Sequence, residues 1–261
     1  MQVAILAGGL ATRLRPRTLT VPKFLLPVAD RPFGAWLLAR LAQAGYDDVV
    51  LCVGHLAATI RDAIGDGSAF GLRVRYVEDG ARKSASGEAP TLLGTAGALR
   101  HAIDDLAPTF LVTYGDSYLP FDYAAPLREL DACSDADGVM SVYRNEGKWD
   151  TSNTAIRLDA TGDAWVSRYE KAKSGTGLEG VSPSATGLDY IDYGAMALRR
   201  EIIAALPDGV AAGLDQIQHD LAKRGRLRAY LARARFFEIG SEAGLLELDR
   251  ALTAGKGRIA T

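Results

Sequence analysis

Residues 4–28, AILAGGLATRLRPRTLTVPKFLLPV, decide how this chain is read. An apolar strand over residues 3–7 breaks at Gly8-Gly9, where the missing Cβ atoms let backbone approach a ligand closely. Arg13, Arg15, Arg17 and Lys23 follow within eleven residues. Backbone N–H groups beside guanidinium forks and an ammonium describe a polyphosphate site. Two other phosphate motifs are absent: no G-x-x-x-x-G-K-[ST] occurs, and the turn lacks the G-x-G-x-x-G spacing of a dinucleotide fold.

The stretch resembles the signature of sugar-1-phosphate nucleotidyltransferases: an apolar strand, G-G-x-G-T-R-L-x-P, then P-K-x-L-x-P-V. Here the residues are Gly8-Gly9-Leu10-Ala11-Thr12-Arg13-Leu14-Arg15-Pro16 and Pro22-Lys23-Phe24-Leu25-Leu26-Pro27-Val28. Ala11 departs from the pattern, standing where the family has glycine, so a methyl group is expected to narrow the turn.

Working outward, apolar residues at 33, 36, 37, 41 and 44 predict a helix over 33–44, with Gly45 as its cap. Continuous apolar residues 49–53 read as a strand buried on both faces. A helix over 56–64, a strand over 74–78, a helix over 97–106 and a strand over 109–114 follow. Helix and strand signals thus alternate, which argues for a parallel or mixed sheet covered by helices. Gly115-Asp116 falls at a strand's carboxyl end, where open α/β sheets bind ligands. After residue 137 shorter strands are expected at 138–143, 154–158, 165–170 and 190–198, with a final helix over 242–253 capped by Ser241. Residues 80–91 and 173–187 have loop composition, and the second reads as a lid. The resemblance implies a Rossmann-like three-layer α/β/α fold with a mixed central sheet and an inserted sugar-binding β region. It also implies a single domain over 1–254: a nucleotide-binding half to about 136, a sugar-binding half over about 137–240, and a flexible tail over 255–261.

Bulk properties narrow the function classes. Of 261 residues, 48% are hydrophobic and 24% charged, and a net charge of −2 argues against general nucleic-acid or membrane binding. No apolar run approaches the ~18 residues of a membrane span. The first strand begins at residue 2 or 3, leaving no room for a signal peptide, and Cys52 and Cys133 read as reduced thiols, so a cytoplasmic protein is expected. A homo-oligomer stays open.

Nucleotidyl transfer makes specific demands. A sugar-1-phosphate oxygen attacks the α-phosphorus of an NTP while pyrophosphate leaves. That nucleophile is already ionised, because a phosphomonoester's second pKa is about 6. The reaction therefore needs cations, Mg²⁺ and alignment rather than a general base. Consistent with this, His55, His101 and His219 lie outside every motif.

The resemblance assigns roles. Arg13 contacts the leaving pyrophosphate and Lys23 bridges the phosphates of both substrates. Leu6, Ala7, Gly8, Gly9, Glu78, Gly94, Thr95 and Gly97 bind the nucleotide; in this reading Gly94 and Gly97 let base and ribose approach the start of a helix. Asp116 holds Mg²⁺, and Glu238 of Phe236-Phe237-Glu238-Ile239-Gly240 replaces the family's second metal-binding aspartate with a longer carboxylate. Asn153, Glu170, Lys171, Tyr193 and Gly194 hold the sugar phosphate, although Ala172 stands where proline usually follows Glu-Lys. Leu93-Gly94-Thr95-Ala96-Gly97 leans toward guanylyltransferases acting on heptose- or mannose-1-phosphate, so GTP is the favoured nucleotide. Two rivals are weaker. A glycosyltransferase needs D-x-D, and Asp116-Ser117-Tyr118 has one carboxylate. A non-catalytic nucleotide-sugar binder has little use for Arg13, Lys23 and Asp116 together.

Overall fold

In the computed structural model, which describes residues 1–78, 93–145, 148–149, 151–171 and 187–255, the elements follow one another as parallel-sheet physics dictates. Strand β1 (Gln2–Ala7) enters the basic loop, which closes in a small hairpin, β2 (Pro27–Val28) and β3 (Arg31–Pro32). Then come α1 (Phe33–Gln43), β4 (Asp48–Val53), α2 (Ala57–Ile64), β5 (Arg73–Glu78), α3 (Gly94–His101), β6 (Thr109–Tyr114), β7 (Ser117–Tyr118) and α4 (Ala125–Ala132). The second part adds β8 (Gly138–Arg144), β9 (Thr154–Leu158), β10 (Ala164–Tyr169), β11 (Tyr190–Arg199), α5 (Arg200–Ala204), α6 (Leu214–Lys223), β12 (Leu227–Ala232), β13 (Phe237–Glu238) and α7 (Glu242–Ala254).

Nine of these strands form one mixed sheet in the order β5-β4-β1-β6-β11-β8-β12-β10-β9. β5, β4, β1 and β6 run parallel, whereas β11 joins β6 antiparallel. Alternate residues of the parallel strands feed two cores. Val3 and Ile5 of β1, with Val49 and Leu51 of β4, pack on the side covered by α1, α2, α4 and α7. Ala4, Val50 and Cys52 pack on the other side, under α3, α5 and α6. The result is the three-layer arrangement, and the strands buried on both faces explain the unbroken apolar runs. The later strands are not a separate layer: β8 to β12 extend the same sheet.

Two expectations need adjusting. The helix read over 97–106 is α3, starting three residues earlier at Gly94 and ending at His101, with a short 3-10 turn at Ile103–Asp105. The amides of Ala96 and Gly97 donate to the carbonyl of Ala212, 2.9 and 3.1 Å away, so a distant segment fixes where α3 begins. Helices α4, α5 and α6 and strand β12 were not foreseen. Ser241 does cap α7, its Oγ accepting from the Gly244 amide at 3.1 Å. The loops expected at 80–91 and over 173–186, and the tail at 256–261, lie outside the described residues. No helix among the described residues is long and apolar enough to cross a membrane.

Candidate active site

β1 and β6 are neighbours, with Leu6 opposite Tyr114. β4 and β5 continue the sheet on one side of β1, and β6 lies on the other, so the strand order reverses between β1 and β6. Crevices at such reversals, outside the carboxyl ends of the strands, are where α/β sheets place ligands. The Gly8-Gly9 turn and the Gly115-Asp116 turn leave the sheet side by side here. A Cβ on Gly115 would lie 2.9 Å from the Cβ of Ala7 and 3.2 Å from the Phe24 ring, so only glycine fits between them. A Cβ on Gly54 would lie 2.8 Å from the Gly8 carbonyl oxygen.

The cleft so formed has a volume of about 230 Å³. Leu6, Ala7, Gly8, Gly9, Lys23, Gly94, Thr95 and Asp116 all line it, joined by Phe24, Cys52, Ala98 and Tyr114, which sequence reasoning did not single out. Cys52 was legible in principle, since it sits one residue from the carboxyl end of β4. Lys23 Nζ donates to Asp116 Oδ2 at 2.8 Å, with both side chains about one-fifth exposed. The short 3-10 turn Lys23–Leu25 carries the ammonium, anchored by buried Phe24 and Leu26.

Ala11 adopts the left-handed conformation, φ 48 and ψ 43, that glycine takes without cost. The Thr18 hydroxyl donates to its carbonyl at 2.8 Å, and the Leu14 amide does so at 3.1 Å. The turn therefore keeps the glycine geometry despite the methyl group.

The second carboxylate arrives from the far end of the chain. β13 pairs with β7, Glu238 opposite Ser117, and the Ile239 amide donates to the Asp116 carbonyl at 2.9 Å. Asp116 and Glu238 thus stand on adjoining rungs. Arg13 comes to the same place: a Cβ on Gly240 would meet its guanidinium at 3.2 Å and the Glu238 carboxyl carbon at 3.6 Å. Two hard carboxylates fit Mg²⁺, which takes one or two such ligands and fills its octahedron with water and substrate phosphate. No group of three or more His, Cys, Asp or Glu side chains placed to hold a metal exists among the described residues.

Other expected residues are placed differently. Glu78 is outside the cleft lining and pairs with Arg61 at 2.9 Å. A Cβ on Gly94 would meet the Ala212 carbonyl oxygen at 2.6 Å, and one on Gly97 the Val210 carbonyl oxygen at 3.1 Å. Both glycines therefore admit the 210–212 segment of this chain. Thr95 Oγ1 accepts from the Leu214 amide at 2.8 Å, capping the entry to α6.

On the sugar side, Asn153 Oδ1 accepts from the Asp192 amide at 3.0 Å, and the Asn153 carbonyl accepts from Glu170 N at 2.9 Å. Glu170 lies 3.4 Å from Arg168, and Lys171 Nζ 3.1 Å from Asp215. Gly194 has φ +91, inside a register shift of β11 between Asp192 and Met196, and its Cα side faces Ser117. Tyr193, 1% exposed, points the other way, into edge contacts with Phe121 and Phe236. Asp192, unnoticed in the sequence, is half-buried, and its carboxylate accepts from Gly194 N at 2.9 Å and Gln218 Nε2 at 2.6 Å. Burial raises its carboxyl pKa. Burial likewise raises the Tyr114 phenol, reinforced by Asp192, so Tyr114 stays neutral at the cleft.

The sequence matches the nucleotidyl transferase family over residues 2–176, two-thirds of its length. The chain belongs to that family. Glu238 and α7 lie beyond the matched residues. N-acetylmuramate alpha-1-phosphate uridylyltransferase of Neisseria meningitidis is 40% identical over 126 residues, 48% of this chain and 51% of that protein. Mannose-1-phosphate guanylyltransferase of Mycobacterium tuberculosis is 29% identical over 209 residues, 80% of this chain and 52% of that protein. This family member thus spans about half the length of these curated relatives. Among solved structures, HddC from Yersinia pseudotuberculosis shares the fold with a TM-score of 0.69 at 22% identity, over 96% of this chain and 99% of that one.

Proposed function

We propose that the protein transfers a nucleotidyl group from an NTP to a sugar-1-phosphate, giving an NDP-sugar and pyrophosphate. One observation carries this reading: Lys23 and Asp116 meet at 2.8 Å beside a glycine turn, at the reversal point of the sheet. An ammonium and a carboxylate in that position suit a reaction in which two phosphates converge. The sugar-1-phosphate oxygen attacks the α-phosphorus, the bond to the bridging oxygen breaks, and pyrophosphate leaves with the electron pair. Lys23, a compact point charge, turns from Asp116 to the phosphates when they arrive. Arg13, beside Glu238, neutralises the leaving pyrophosphate. Mg²⁺ held by Asp116 and Glu238 would supply further neutralisation of phosphate charge. Glycine backbone at Gly8 and Gly9 lets the triphosphate lie close to the β1 terminus, and Gly194, Asn153, Glu170 and Lys171 hold the acceptor.

GTP is the favoured donor, on the strength of the LGTAG stretch and the guanylyltransferase relative aligned over 80% of this chain. Both substrates are cytoplasmic metabolites, so we place the reaction there. The test is pyrophosphate release with mass spectrometry of products, over GTP, UTP, dTTP, CTP and ATP crossed with sugar-1-phosphates, Mg²⁺ present. An NDP-sugar from at least one pair is expected. No product from any pair overturns the reading.

A further inference from the structure

One peptide unit brings Glu238 level with Asp116. The Ile239 amide donates to the Asp116 carbonyl at 2.9 Å, so the N–H edge of the 238–239 peptide faces β7. In a planar trans peptide the carbonyl points the opposite way, here toward the first turn of α7. It meets Gly244 there: a Cβ on Gly244 would overlap the Glu238 carbonyl oxygen. The peptide that carries Glu238 is thus held between a hydrogen bond on one edge and a bare Cα on the other.

Neither side has slack. Leu245, Leu248 and Leu252 of α7 are all buried, and the Asp249 carboxylate accepts from the Ala29 amide at 2.6 Å. Ser241 Oγ, accepting from the Gly244 amide, fixes the first turn itself. Ile239 is fully buried on the strand side. An added methyl on Gly244 therefore pushes the 238–239 peptide toward the Asp116 carbonyl, because α7 cannot retreat without unpacking its leucines.

The Glu238 side chain is exposed. It lines a second cleft, of about 650 Å³, between α7 and the stacked Trp149 and Arg235, which shares no lining residue with the glycine-turn cleft. With open space beside the carboxylate, its place depends first on the peptide beneath it. Mg²⁺ demands near-ideal octahedral geometry, so a small displacement of one carboxylate is felt at the ion.

Resting on the reading that Asp116 and Glu238 hold Mg²⁺, we propose that Gly244 is a positioning residue for that pair. Its missing side chain sets the spacing between α7 and the 238–239 peptide, and through that peptide it sets where Glu238 stands against Asp116.

The experiment measures Mn²⁺ affinity by calorimetry, without nucleotide, in the wild type, G244A, E238Q and G244A/E238Q, with urea unfolding of each. G244A is expected to weaken Mn²⁺ binding about tenfold, the scale of losing an outer-shell support of a metal ligand. In the E238Q background the same change costs less than about twofold, because no carboxylate is left there to misplace. Equal losses in the two backgrounds, or wild-type affinity in G244A, overturn the proposal. So does wild-type affinity in E238Q, which takes Glu238 out of the metal site. If G244A does not fold, L245A and L252A decide. The first leaves a cavity under the first turn of α7 and the second leaves one at its far end. Weaker Mn²⁺ binding in L245A alone, absent from L245A/E238Q, supports the proposal, and equal affinities in L245A and L252A overturn it. Pyrophosphate release by the wild type is scored separately: its absence defeats the transfer reading, whereas the Mn²⁺ titrations decide Gly244 in either case.

Discussion

The two clefts that flank Asp116 and Glu238 are built from opposite materials. The glycine-turn cleft is walled in part by the backbone of Gly8, Gly9, Gly94 and Gly115, and at Gly115 and the neighbouring Gly54 a single added methyl would meet the Ala7 Cβ at 2.9 Å and the Gly8 carbonyl oxygen at 2.8 Å. The other cleft, which Glu238 lines against α7, is walled by long side chains, Trp149, Arg235, Leu246 and Arg250, of which Arg235 stacks on Trp149 and pairs with Glu247 through both terminal nitrogens. Backbone walls are rigid and suit phosphates, whose shape is the same in every NTP. Side-chain walls can change with one substitution.

Lys23→Ala strikes the backbone-walled side hardest. Losing one preorganised cation at the reacting phosphates is expected to lower kcat about 10²- to 10³-fold, read by pyrophosphate release. The same variant frees Asp116 from its 2.8 Å partner, so Mn²⁺ binding without nucleotide, followed by calorimetry, should strengthen. Near-full activity together with unchanged Mn²⁺ affinity removes the bridging role. Gly54→Ala comes next: its methyl meets the Gly8 carbonyl oxygen, and overpacking there should destabilise by about 1–3 kcal/mol in urea unfolding. A neutral result means the turn is softer than its geometry implies.

Asp192→Asn probes the link between the sheet and the acceptor side. Burial raises the Asp192 pKa, so the folded chain retains a proton that the unfolded chain releases. Wild-type stability from this group is therefore full at acid pH and falls as pH climbs from about 4, the ordinary aspartate value, toward the raised one. Asparagine removes that fall, so D192N should gain on the wild type between acid and neutral pH in urea midpoints. A constant difference contradicts the burial argument. Ala11→Gly has the smallest expected effect. It relieves a left-handed alanine but frees the unfolded chain, and these oppose each other to within about 1 kcal/mol. A loss beyond that range means the methyl makes contacts that the turn needs.

The backbone-walled region was also the legible one. Its strand, turn and cations sit within 25 consecutive residues, so local pattern, fixed by chain continuity, carries their geometry. The Glu238 segment could be aligned with Asp116 only because its aromatic and glycine neighbours make a short motif. Gly94 and Gly97 show where local reading stops. They read as places for ligand approach, and Gly94 does line the cleft, but the Cβ side of each is filled by Ala212 or Val210, more than 110 residues away. Thr95 was legible as polar but not as the cap of α6, for the same reason. Tyr193 and Gly194 adjoin in sequence yet face opposite sides of β11, because successive residues of a strand alternate and a bulge intervenes. The Trp149, Arg235 and Arg250 arrangement draws on three separate segments, and no spacing in the sequence announces it.

The central claim is that pyrophosphate leaves because a sugar phosphate attacks. It is tested most directly by incubating the protein with Mg²⁺ and an NTP labelled on its α-phosphate, with and without sugar-1-phosphate. The account predicts that label passes into an NDP-sugar in step with pyrophosphate, only when the sugar phosphate is present. Pyrophosphate released at the same rate without it, or label recovered solely as nucleoside mono- or diphosphate, contradicts the account.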